Sequence, residues 1–512
     1  MDVYFGRLGR AKSHAKGEPG NTGGKSRVTR DPAAHIAARL DRLPMTWRLW
    51  SLVLLISVGG AFEFYDIFFT AYVAPGMTAS GLFSRASLQP LGFLYDLFGG
   101  GPATFVFSTF AGLFLGTMFF APLSDRFGRR RVFFAALAWY SLTTLVLAFQ
   151  RTGFALDAWR FVSGLGIGVQ LVTIATYLSE LTPRRYRGRV FAINQVIQFA
   201  AVPTAAFLAW SLAPHRPLGL EGWRWVVLLG SAGALAVLLI QRQLPESPRW
   251  LARHGREAEA EQITAGIEAA VERESGGPLP PVGPAVEESL ARPRFAELWR
   301  PPVRRRVIVL SVVNLFQSIG FYGFAAWVPT YLVHKGIAVT SSLLYAFVIA
   351  IANPVGPLIG YLVADRIERK HQLCLAALGI AVFGVLFASQ SAPGPLIVVG
   401  VLVTLSSNWL SFSLHNYQAE VFPTRIRARA VGFVYSWSRL STAFAGLVIG
   451  SLLKSFGVMA VFGAIAFAMA MVIIAAGGFG PRTRGRSLEE ISPEAAREEA
   501  PTPAAAGAPN IA

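Results

Sequence analysis

The sequence contains a single cysteine and unusually few charged residues. Only 15% of its 512 residues are charged, against about 25% in a typical soluble domain. The lone cysteine, Cys374, excludes an internal disulfide and a cysteine-based metal cluster, and we interpret it as a packing residue. Acidic residues are the scarcer charged class, 29 against 47 basic residues, so the net charge is +18.

The motifs of enzymes are also missing. The sequence has no metal-ligand cluster of His and Cys, no nucleoside-binding loop and no large polar catalytic domain. We therefore expect neither a metal nor another cofactor, and do not expect an enzyme. No short apolar segment with a small-residue cleavage site precedes the first long apolar run, so we expect no secretory signal.

Long apolar runs dominate the rest of the chain. Hydrophobic residues make up 53% of it and the mean hydropathy is +0.47. Runs of about 20 apolar residues, long enough to cross a hydrocarbon core of ~30 Å, recur almost from end to end. We therefore predict an all-α membrane protein with twelve transmembrane helices near residues 49–74, 103–123, 132–150, 155–180, 190–212, 224–241, 306–333, 341–364, 372–390, 395–420, 430–453 and 457–479.

The predicted spans fall into two sets of six, and we expect the chain to act as a monomer. Two short helices are predicted outside the spans, an interfacial helix at Ile36–Trp50 and an amphipathic helix at Glu257–Arg273. The predicted order is a disordered cytoplasmic tail (1–45), a six-helix bundle (46–244), a cytoplasmic connector (245–303), a second six-helix bundle (304–480) and a cytoplasmic tail (481–512).

Basic residues cluster in alternate gaps between the spans. Four arginines follow span 2, four follow span 4, and three basic residues follow each of spans 8 and 10. The gap SQSAPGP between spans 9 and 10 has no charge. Because positively charged loops stay on the cytoplasmic side, we predict an inner-membrane protein with both termini in the cytoplasm. This distribution explains the positive net charge without nucleic-acid binding.

Two motifs recur at an offset of 240 residues. Asp125-Arg126-x-x-Arg129-Arg130 returns as Asp365-Arg366-x-x-Arg369-Lys370, and Tyr177-x-x-Glu180-x-x-Pro183 returns as Tyr417-x-x-Glu420-x-x-Pro423. Unrelated basic loops would not keep the Asp, Glu, Tyr and Pro in step. We therefore interpret the chain as a duplicated six-helix unit with parallel repeats.

The repeated motifs and four further strings resemble the major facilitator superfamily, and within it the sugar porters and related metabolite–proton symporters. The strings are RFVSGLGIG (160–168), SELTPRRYRGR (179–189), PESPRWL (245–251) and PRTRGRSLEEI (481–491). The resemblance covers roughly residues 46 to 491. It implies the major facilitator fold, in which two pseudo-symmetric six-helix bundles move a solute by alternating access.

Charged residues inside the spans are the main functional candidates, because a charge is costly in lipid. At 1.5 Å per residue, Asp66 lies about 25 Å from the cytoplasmic end of span 1, and Arg160 about 8 Å from the outer end of span 4, so the two can pair. By resemblance, they match the proton-binding acid of proton-coupled sugar porters and its partner. A static structural ion pair is the alternative. Glu63, three residues before Asp66, could relay protons or line a cavity.

Arg439 in span 11 lies about 14 Å from the cytoplasmic end, near the midplane. No acid in spans 7 to 12 lies at a comparable depth. We therefore expect its guanidinium to face the central cavity, where a carboxylate or phosphate of the substrate would pair with it. Structural pairing with Glu63 or with a backbone carbonyl is the alternative.

By resemblance, the sugar-binding pattern is only partly kept. Gln195 and Gln317 match polar residues that family members direct at hydroxyls, whereas His415 stands at the position of a sugar-stacking Trp. Arg439 itself replaces an uncharged residue. A site that loses amides and gains a cation suits an organic acid better than a hexose. Three further lining candidates, each equally an interhelical hydrogen-bond partner, are Gln198, Asn314 and Tyr322.

The repeated charges at the cytoplasmic face form the last candidate site. The resemblance implies an inter-helix charge network that keeps the cytoplasmic side closed in the outward-open state, and solvated loop charges are the alternative. The candidate members are Asp125, Arg126, Glu180 and Arg187, with their counterparts Asp365, Arg366, Glu420 and Arg427.

The leading functional hypothesis is proton-coupled symport of a small organic acid or related metabolite. The expected partners are therefore a small-molecule substrate, protons and the lipid bilayer. A sugar or polyol porter is the closest alternative. Export of a drug or metabolite by proton antiport and a sensor that no longer transports are weaker alternatives.

Overall fold

The computed structural model describes residues 32–90, 93, 101–120, 122–233, 243–283, 295–301, 303–363, 366–422 and 424–483, and their regular structure is helical. The first half contains α1 (Pro32–Asp41), α2 (Trp47–Ala79), α3 (Gly101–Leu115), α4 (Leu123–Phe127), α5 (Arg129–Leu147), α6 (Gly153–Leu181), α7 (Arg187–Leu212) and α8 (Gly222–Gly230). Two connector helices follow, α9 (Pro248–Arg253) and α10 (Glu257–Ser275). The second half contains α11 (Val303–Ala325), α12 (Val328–His334), α13 (Val339–Ala350), α14 (Val355–Val363), α15 (Arg369–Ser389), α16 (Pro393–Val421) and α17 (Thr424–Ile473).

Nine helical segments in the described part of the chain are long and apolar enough to cross a membrane. The three remaining predicted spans can each be located. Span 3 is α5, which begins with three arginines, and span 6 begins with α8 and then leaves the described residues. Spans 11 and 12 lie in one helical segment, α17 with the π-helical turn Ile474–Phe479 that follows it, and α17 is interrupted where Gly457 has a φ of 78°. That left-handed conformation is accessible to glycine without strain, so the chain can turn there.

Helices α3 and α6 pack with their backbones in close contact. A Cβ atom on Gly112 would lie 2.2 Å from the carbonyl oxygen of Phe161, and one on Gly164 would lie 2.6 Å from that of Thr109. Small residues allow such an approach between membrane helices, where dispersion contacts drive association. The contact also brings Arg160 of α6 to Thr109 of α3, with Nε 2.9 Å from Oγ1.

The internal repeat predicted from the sequence is visible at the cytoplasmic ends of both halves. Arg129, the first residue of α5, pairs with Glu180 at 2.9 Å, and Arg369, the first residue of α15, pairs with Glu420 at 3.0 Å. The two partners are 51 residues apart in both halves. In both halves, therefore, the same ion pair ties the start of the third span to the end of the fourth.

Helix α1 corrects one expectation. A disordered tail was expected through residue 45, but residues 32–41 form a helix whose Ile36 and Leu40 are buried; the tail residues 1–31 lie outside the described part of the chain. The helix predicted at Ile36–Trp50 ends at Asp41, and α2 begins at Trp47. By contrast, the amphipathic helix predicted in the connector is confirmed as α10.

The reason for this order is a set of ion pairs between residues 39–42 and the connector helices α9 and α10. Arg39 contacts Glu261 at 2.6 Å and Glu268 at 2.5 Å, and Arg42 contacts Glu268 at 2.8 Å. At the end of α1, Asp41 accepts from Arg249 at 2.8 Å. Burial alone would raise the pKa of Glu268, but the hydrogen bonds from Arg39 and Arg42 outweigh it and hold that pKa below its usual value.

We predict that Arg39→Ala releases α1 from α10. In an Ala34→Cys, Cys374→Ser background, maleimide labelling of the buried residue 34 should become about tenfold faster, since a charge-assisted hydrogen bond contributes about 1.5–3 kcal/mol. Arg256→Ala removes only a local pair with Glu259 and serves as the control. Equal labelling rates in the Arg39 and Arg256 variants would show that the ion pairs do not hold α1.

The same contact should depend on pH in one direction. Because the pKa of Glu268 is lowered in the folded protein, its contribution is present above the usual glutamate pKa and is lost as pH falls through the lowered value. Docking of α1, followed by protease protection, should therefore survive at neutral pH and weaken only on acidification. Glu268→Gln should remove that acid sensitivity.

Candidate functional site

Asp66 and Arg160 form a fully buried ion pair in the first half. Nη1 of Arg160 lies 2.7 Å from Oδ2 of Asp66, and both side chains have no exposed surface. Arg160 also donates to the carbonyl oxygen of Asp66 at 2.5 Å and to Oγ1 of Thr70 at 2.6 Å. The pairing predicted from helix depth is thus present, and it joins α2 to α6.

The carboxylate of Asp66 has further partners on α5 and α6. Thr144 donates to Oδ1 at 2.9 Å, and Ser163 donates to Oδ2 at 3.4 Å. The guanidinium of Arg160 lies 4.6 Å from the ring centroid of Phe69, in cation–π geometry. A buried ion pair is favourable only when its remaining donors and acceptors are satisfied, as they are here. Removing one partner would leave the other as an uncompensated charge.

Glu63 differs from Asp66 in its hydrogen bonding. Its side chain is fully buried, yet neither carboxylate oxygen accepts a hydrogen bond from any described residue. The hydroxyl of Tyr140 is also buried without a partner in the described part of the chain. Buried polar groups are normally hydrogen-bonded, so each such exception calls for an explanation.

Arg439 is held by tyrosine hydroxyls. Its guanidinium donates to Tyr435 at 2.7 Å and to Tyr322 at 3.4 Å, and it lies 4.7 Å from the ring centroid of Tyr435. The side chain is 2% exposed and its Nε has no hydrogen-bond partner in the described residues. No carboxylate among the described residues forms an ion pair with it, and neither oxygen of Glu63 accepts a hydrogen bond from it. Pairing with Glu63, the structural alternative, is therefore not formed.

Two of the predicted lining residues lie close to Arg439. Tyr322 is its direct partner, and the ring of His415 meets that of Tyr435 edge-on at 5.4 Å. His415 is exposed and its Nδ1 lies 2.7 Å from the carbonyl oxygen of Ser411, which leaves Nε2 available to a ligand. The structure thus brings a cation, two phenols and an imidazole together in one place.

The amide candidates make contacts within the protein instead. Gln317 donates to Ser438 at 3.3 Å. Asn314 donates to the carbonyl oxygen of Leu310 at 2.8 Å and is 3.4 Å from Gln418. Gln198 accepts from Asn194 at 3.1 Å, and Gln195 is half-buried. Gln317 and Asn314 thus join helices in this conformation, which is the alternative considered for Asn314, whereas the bond of Gln198 lies within α7.

A small cavity between the halves contains polar residues that the sequence analysis missed. Its volume is about 20 Å³, which is room for about one water molecule. Oγ of Ser407 and Oδ1 of Asn408 are buried there without partners among the described residues, and Asn408 donates to Asn353 at 3.2 Å. The available signal was three uncharged polar residues inside apolar spans, which is weaker than a charge. The aromatic part of the lining comprises Phe68, Tyr72, Phe321 and Phe324.

The two halves meet through aromatic contacts near the predicted outer ends of their helices. Phe107 packs on Phe444 at 5.9 Å between ring centroids, and Phe207 packs on Phe347 at 5.4 Å. Trp210 stacks on the same Phe347 at 6.1 Å. These contacts join the two halves on that side.

Several members of the predicted cytoplasmic charge network can be located in the structure. Asp125, Glu180 and Glu420 take part in it, but the arginines that pair with them are Arg129 and Arg369, which the prediction omitted. Each Arg–Glu pair joins two helices of the same half: Arg129–Glu180 in the first half and Arg369–Glu420 in the second. Of the other predicted members, Arg126 lies over the ring of Phe127, Arg427 donates to the carbonyl oxygen of Phe422, Arg187 is half-buried, Arg366 is exposed, and Asp365 lies outside the described residues.

A turn before α5 explains why Arg129 is the arginine that pairs with Glu180. Gly128 has a φ of 100°, and the following two backbone amides, of Arg129 and Arg130, donate to Oε1 of Glu246 at 2.9 and 3.0 Å. This carboxylate binds the amino end of α5, where negative charge is favoured. The turn points Arg129 inward towards Glu180, which motif spacing alone does not reveal.

Comparison with known proteins shows to which family the chain belongs. The model of the family described as sugar (and other) transporters matches residues 52–495. The chain is 31% identical to the putative metabolite transport protein YyaJ of Bacillus subtilis, over 89% of this chain and 98% of the relative. It is 27% identical to the niacin transporter NiaP of Acinetobacter baylyi, over 89% of this chain and 99% of that protein.

A solved structure shows the same fold. The inward-open xylose transporter XylE of Escherichia coli matches with a TM-score of 0.65 and 20% identity, over 87% of this chain and 99% of that chain. The twelve-helix, two-bundle architecture predicted from the sequence is thus supported, as are a multi-pass membrane transporter and the absence of enzymatic function. The chain belongs to the sugar (and other) transporter family, within the major facilitator fold.

Proposed function

We propose that this transporter carries a small aromatic monocarboxylate together with a proton. The observation that supports this most strongly is Arg439, a buried cation between the halves that no described carboxylate neutralises. Isolated charge is costly inside a membrane protein, and retained charge there usually serves function. An anionic substrate supplies the missing counter-charge in each transport cycle.

The surroundings of Arg439 suit a flat, carboxylate-bearing ring. A guanidinium offers five donors in a planar fork that fits a carboxylate, and two described hydroxyls occupy part of it. Aromatic rings lie beside it: the ring centroid of Tyr435 is 4.7 Å from the guanidinium, and its other partner Tyr322 contacts Phe110 at 4.7 Å and Phe321 at 4.9 Å. The niacin transported by one relative, according to that protein's name, is an aromatic carboxylate of this kind.

Proton coupling is assigned to the Asp66–Arg160 pair. In the described conformation every oxygen of Asp66 is engaged and Arg160 neutralises it. A rearrangement that separates the pair would leave a buried carboxylate, and that carboxylate would then bind a proton rather than remain charged. Because α2, α5 and α6 all hold the pair, movement of these helices is linked to that proton.

A sugar or polyol is the second candidate. Its support is the polar side of the small cavity, where Ser407 and Asn408 keep buried oxygen atoms without described partners. Such atoms could bind hydroxyl groups. This candidate gives no use for the cation at Arg439, so we rank it second.

The conformation and the setting complete the proposal. The aromatic contacts near the predicted outer ends fit an inward-facing state, as in the inward-open structure that the chain matches. We further propose a monomer in the inner membrane with both termini in the cytoplasm. The cytoplasmic ion pairs of Arg129 and Arg369 would act as gating elements.

The charge preference can be tested with nicotinate and nicotinamide, which differ mainly in charge. We predict that wild type binds nicotinate better. Arg439→Gln should weaken nicotinate binding by at least about 30-fold, or about 2 kcal/mol, as expected for a buried charge pair. Arg439→Lys should retain only part of the wild-type affinity for nicotinate, because lysine lacks the planar fork.

The control is Arg224→Gln, which removes a partly buried arginine paired with Glu221. Binding is measured by calorimetry, with the folded fraction of each variant followed by size-exclusion chromatography. Tight binding of a neutral sugar by wild type, or equal losses for nicotinate and nicotinamide in Arg439→Gln, would favour the second candidate.

Replacing the coupling acid gives a separate prediction. Asp66→Asn should abolish accumulation against a gradient in proteoliposomes while leaving exchange across the membrane, because an amide cannot bind and release the proton. Breaking a buried pair costs about 3–5 kcal/mol, so the double variant Asp66→Asn, Arg160→Leu keeps the test possible if the single variant does not fold. Accumulation at the wild-type level would exclude Asp66 as the coupling acid.

Topology is tested with a reporter active only outside the cytoplasm. Fused after Ala512 it should be silent, and fused within residues 389–395 it should be active, as the charge distribution requires. A bright fusion after Ala512 would contradict the proposed orientation.

A further inference from the structure

A tyrosine holds the segment that follows the last span of each half. In the first half, the hydroxyl of Tyr177, near the end of span 4, donates to the carbonyl oxygen of Pro245 after span 6. In the second half, Tyr417, near the end of span 10, donates to the carbonyl oxygen of Pro481 after span 12 at 2.8 Å. The two tyrosines are 240 residues apart, which is the offset of the internal repeat. The two prolines are therefore equivalent positions of the two halves.

A carboxylate adds a second contact to the same segment, but it comes from opposite sides in the two halves. In the first half it belongs to Glu246, after span 6, and accepts from the backbone amides of Arg129 and Arg130 at the start of α5. In the second half it belongs to Glu368, directly before α15, and accepts from the backbone amide of Thr483, after span 12, at 2.9 Å. Donor and acceptor have thus changed sides between the repeats.

The residue types at these positions have changed together. Gly128, before α5, matches Glu368 at the offset of 240 residues. Glu246 matches Arg482, because each directly follows the proline that the tyrosine holds. The first half thus has a glycine before its third span and a glutamate after its last. The second half has a glutamate before its third span and an exposed arginine after its last.

Steric constraints explain this exchange. Gly128 has a φ of 100°, and a Cβ atom there would lie 2.3 Å from Oε2 of Glu246. Glycine fits this position, and moving the carboxylate aside would break its bonds to two amides. Glu368 has a φ of −52°, which any residue adopts, and the residue matching Glu246 is an arginine that points to solvent. Each half therefore has room for the carboxylate on one side of the contact.

We propose that Glu368 closes the cytoplasmic end of the second half, as the glutamate after span 6 does in the first, so that spans 9, 10 and 12 move together there. The contacts form a closed set. Arg369, the first residue of α15, pairs with Glu420 at 3.0 Å, and Glu420 lies one turn after Tyr417 on α16. The segment that Tyr417 holds then returns to Glu368. This role does not depend on which solute is carried.

The contact matters for transport because alternating access moves the two halves against each other as bodies. Without Glu368, the segment after span 12 would keep the bond from Tyr417 and the bond from Lys370, whose Nζ lies 3.3 Å from the carbonyl oxygen of Gly477. A bond to a carboxylate is stronger than these neutral-acceptor bonds. Its loss would allow motion within the half in place of motion between the halves.

The first test labels the segment after span 12. Thr483 is buried, and its bond to Glu368 uses the backbone amide. Thr483→Cys in a Cys374→Ser background therefore keeps the bond and reports its release. Glu368→Gly should make maleimide labelling of residue 483 at least about tenfold faster, because a hydrogen bond to a charged group is lost. Adding Arg482→Glu recreates the arrangement of the first half and should make labelling slow again.

Two controls show whether the rescue needs a carboxylate. The double variant Glu368→Gly, Arg482→Gln should label as fast as Glu368→Gly alone. Arg482→Glu alone brings two carboxylates to one contact and should not slow labelling. Slow labelling in Glu368→Gly, or equal rates in the two double variants, would overturn the inference. If Glu368→Gly does not fold, recovery of folded protein by Arg482→Glu but not by Arg482→Gln decides in the same way.

Transport gives a second readout. In proteoliposomes, Glu368→Gly should lose maximal rate of nicotinate uptake at an unchanged KM, because the contact lies at the cytoplasmic end and not at Arg439. Adding Arg482→Glu should restore the rate. An unchanged rate in Glu368→Gly, together with fast labelling, would show that the contact has no part in transport. Absence of nicotinate uptake by wild type would count against the proposed function, and the labelling rates would still decide on Glu368.

Discussion

The buried pair of Asp66 and Arg160 is the interaction on which the first half depends. Neither side chain is exposed, and the surrounding spans offer no water to replace a lost partner. The pair and its hydroxyl partners tie α2 to α3, α5 and α6 in one place. The close glycine contact between α3 and α6 exists on the same side, and it lets Arg160 reach Thr109. The packing of these helices and the neutralisation of the buried charges thus depend on the same contacts.

The two halves differ in the partners of their buried charges. The first half contains buried acids and one buried arginine that neutralises Asp66, whereas the second presents Arg439 with only hydroxyl partners among the described residues. Sequence duplication is retained at the cytoplasmic ends, where Arg129–Glu180 and Arg369–Glu420 are equivalent. It is lost at the midplane. This asymmetric set of charges on a duplicated scaffold is the basis of the proposed transport of a charged solute with a proton.

How much of this could be predicted from sequence depends on the strength of each physical signal. Apolar length and charged gaps are strong signals, and they predicted the helical membrane architecture. The two motifs repeated at one offset predicted the duplicated unit. Helix rise predicted that Asp66 and Arg160 would meet. The packing of α1 on α10 was not predicted, because the ion pairs of Arg39 join residues more than 220 positions apart. The inward turn of Arg129 depends on Gly128 and Glu246, and no local pattern connects them.

The candidate site, too, was predictable only where its residues gave a strong physical signal. Charges stand out in apolar spans, so Glu63 and Arg439 were found, whereas Asn353, Ser407 and Asn408 are ordinary polar residues and were not. Which of the acids would be satisfied also had to come from the structure. The contrast between Asp66, with every oxygen engaged, and Glu63, with none, depends on hydroxyls supplied by other helices.

The central claim is that one carboxylate and one proton cross together. Accumulation of nicotinate, or of the carboxylate that binds best, in proteoliposomes under separately imposed pH and voltage gradients tests it most directly. Because the two charges cancel, a pH gradient alone should drive accumulation and an imposed membrane potential should leave it unchanged. Accumulation that follows the membrane potential and ignores the pH gradient would contradict the account.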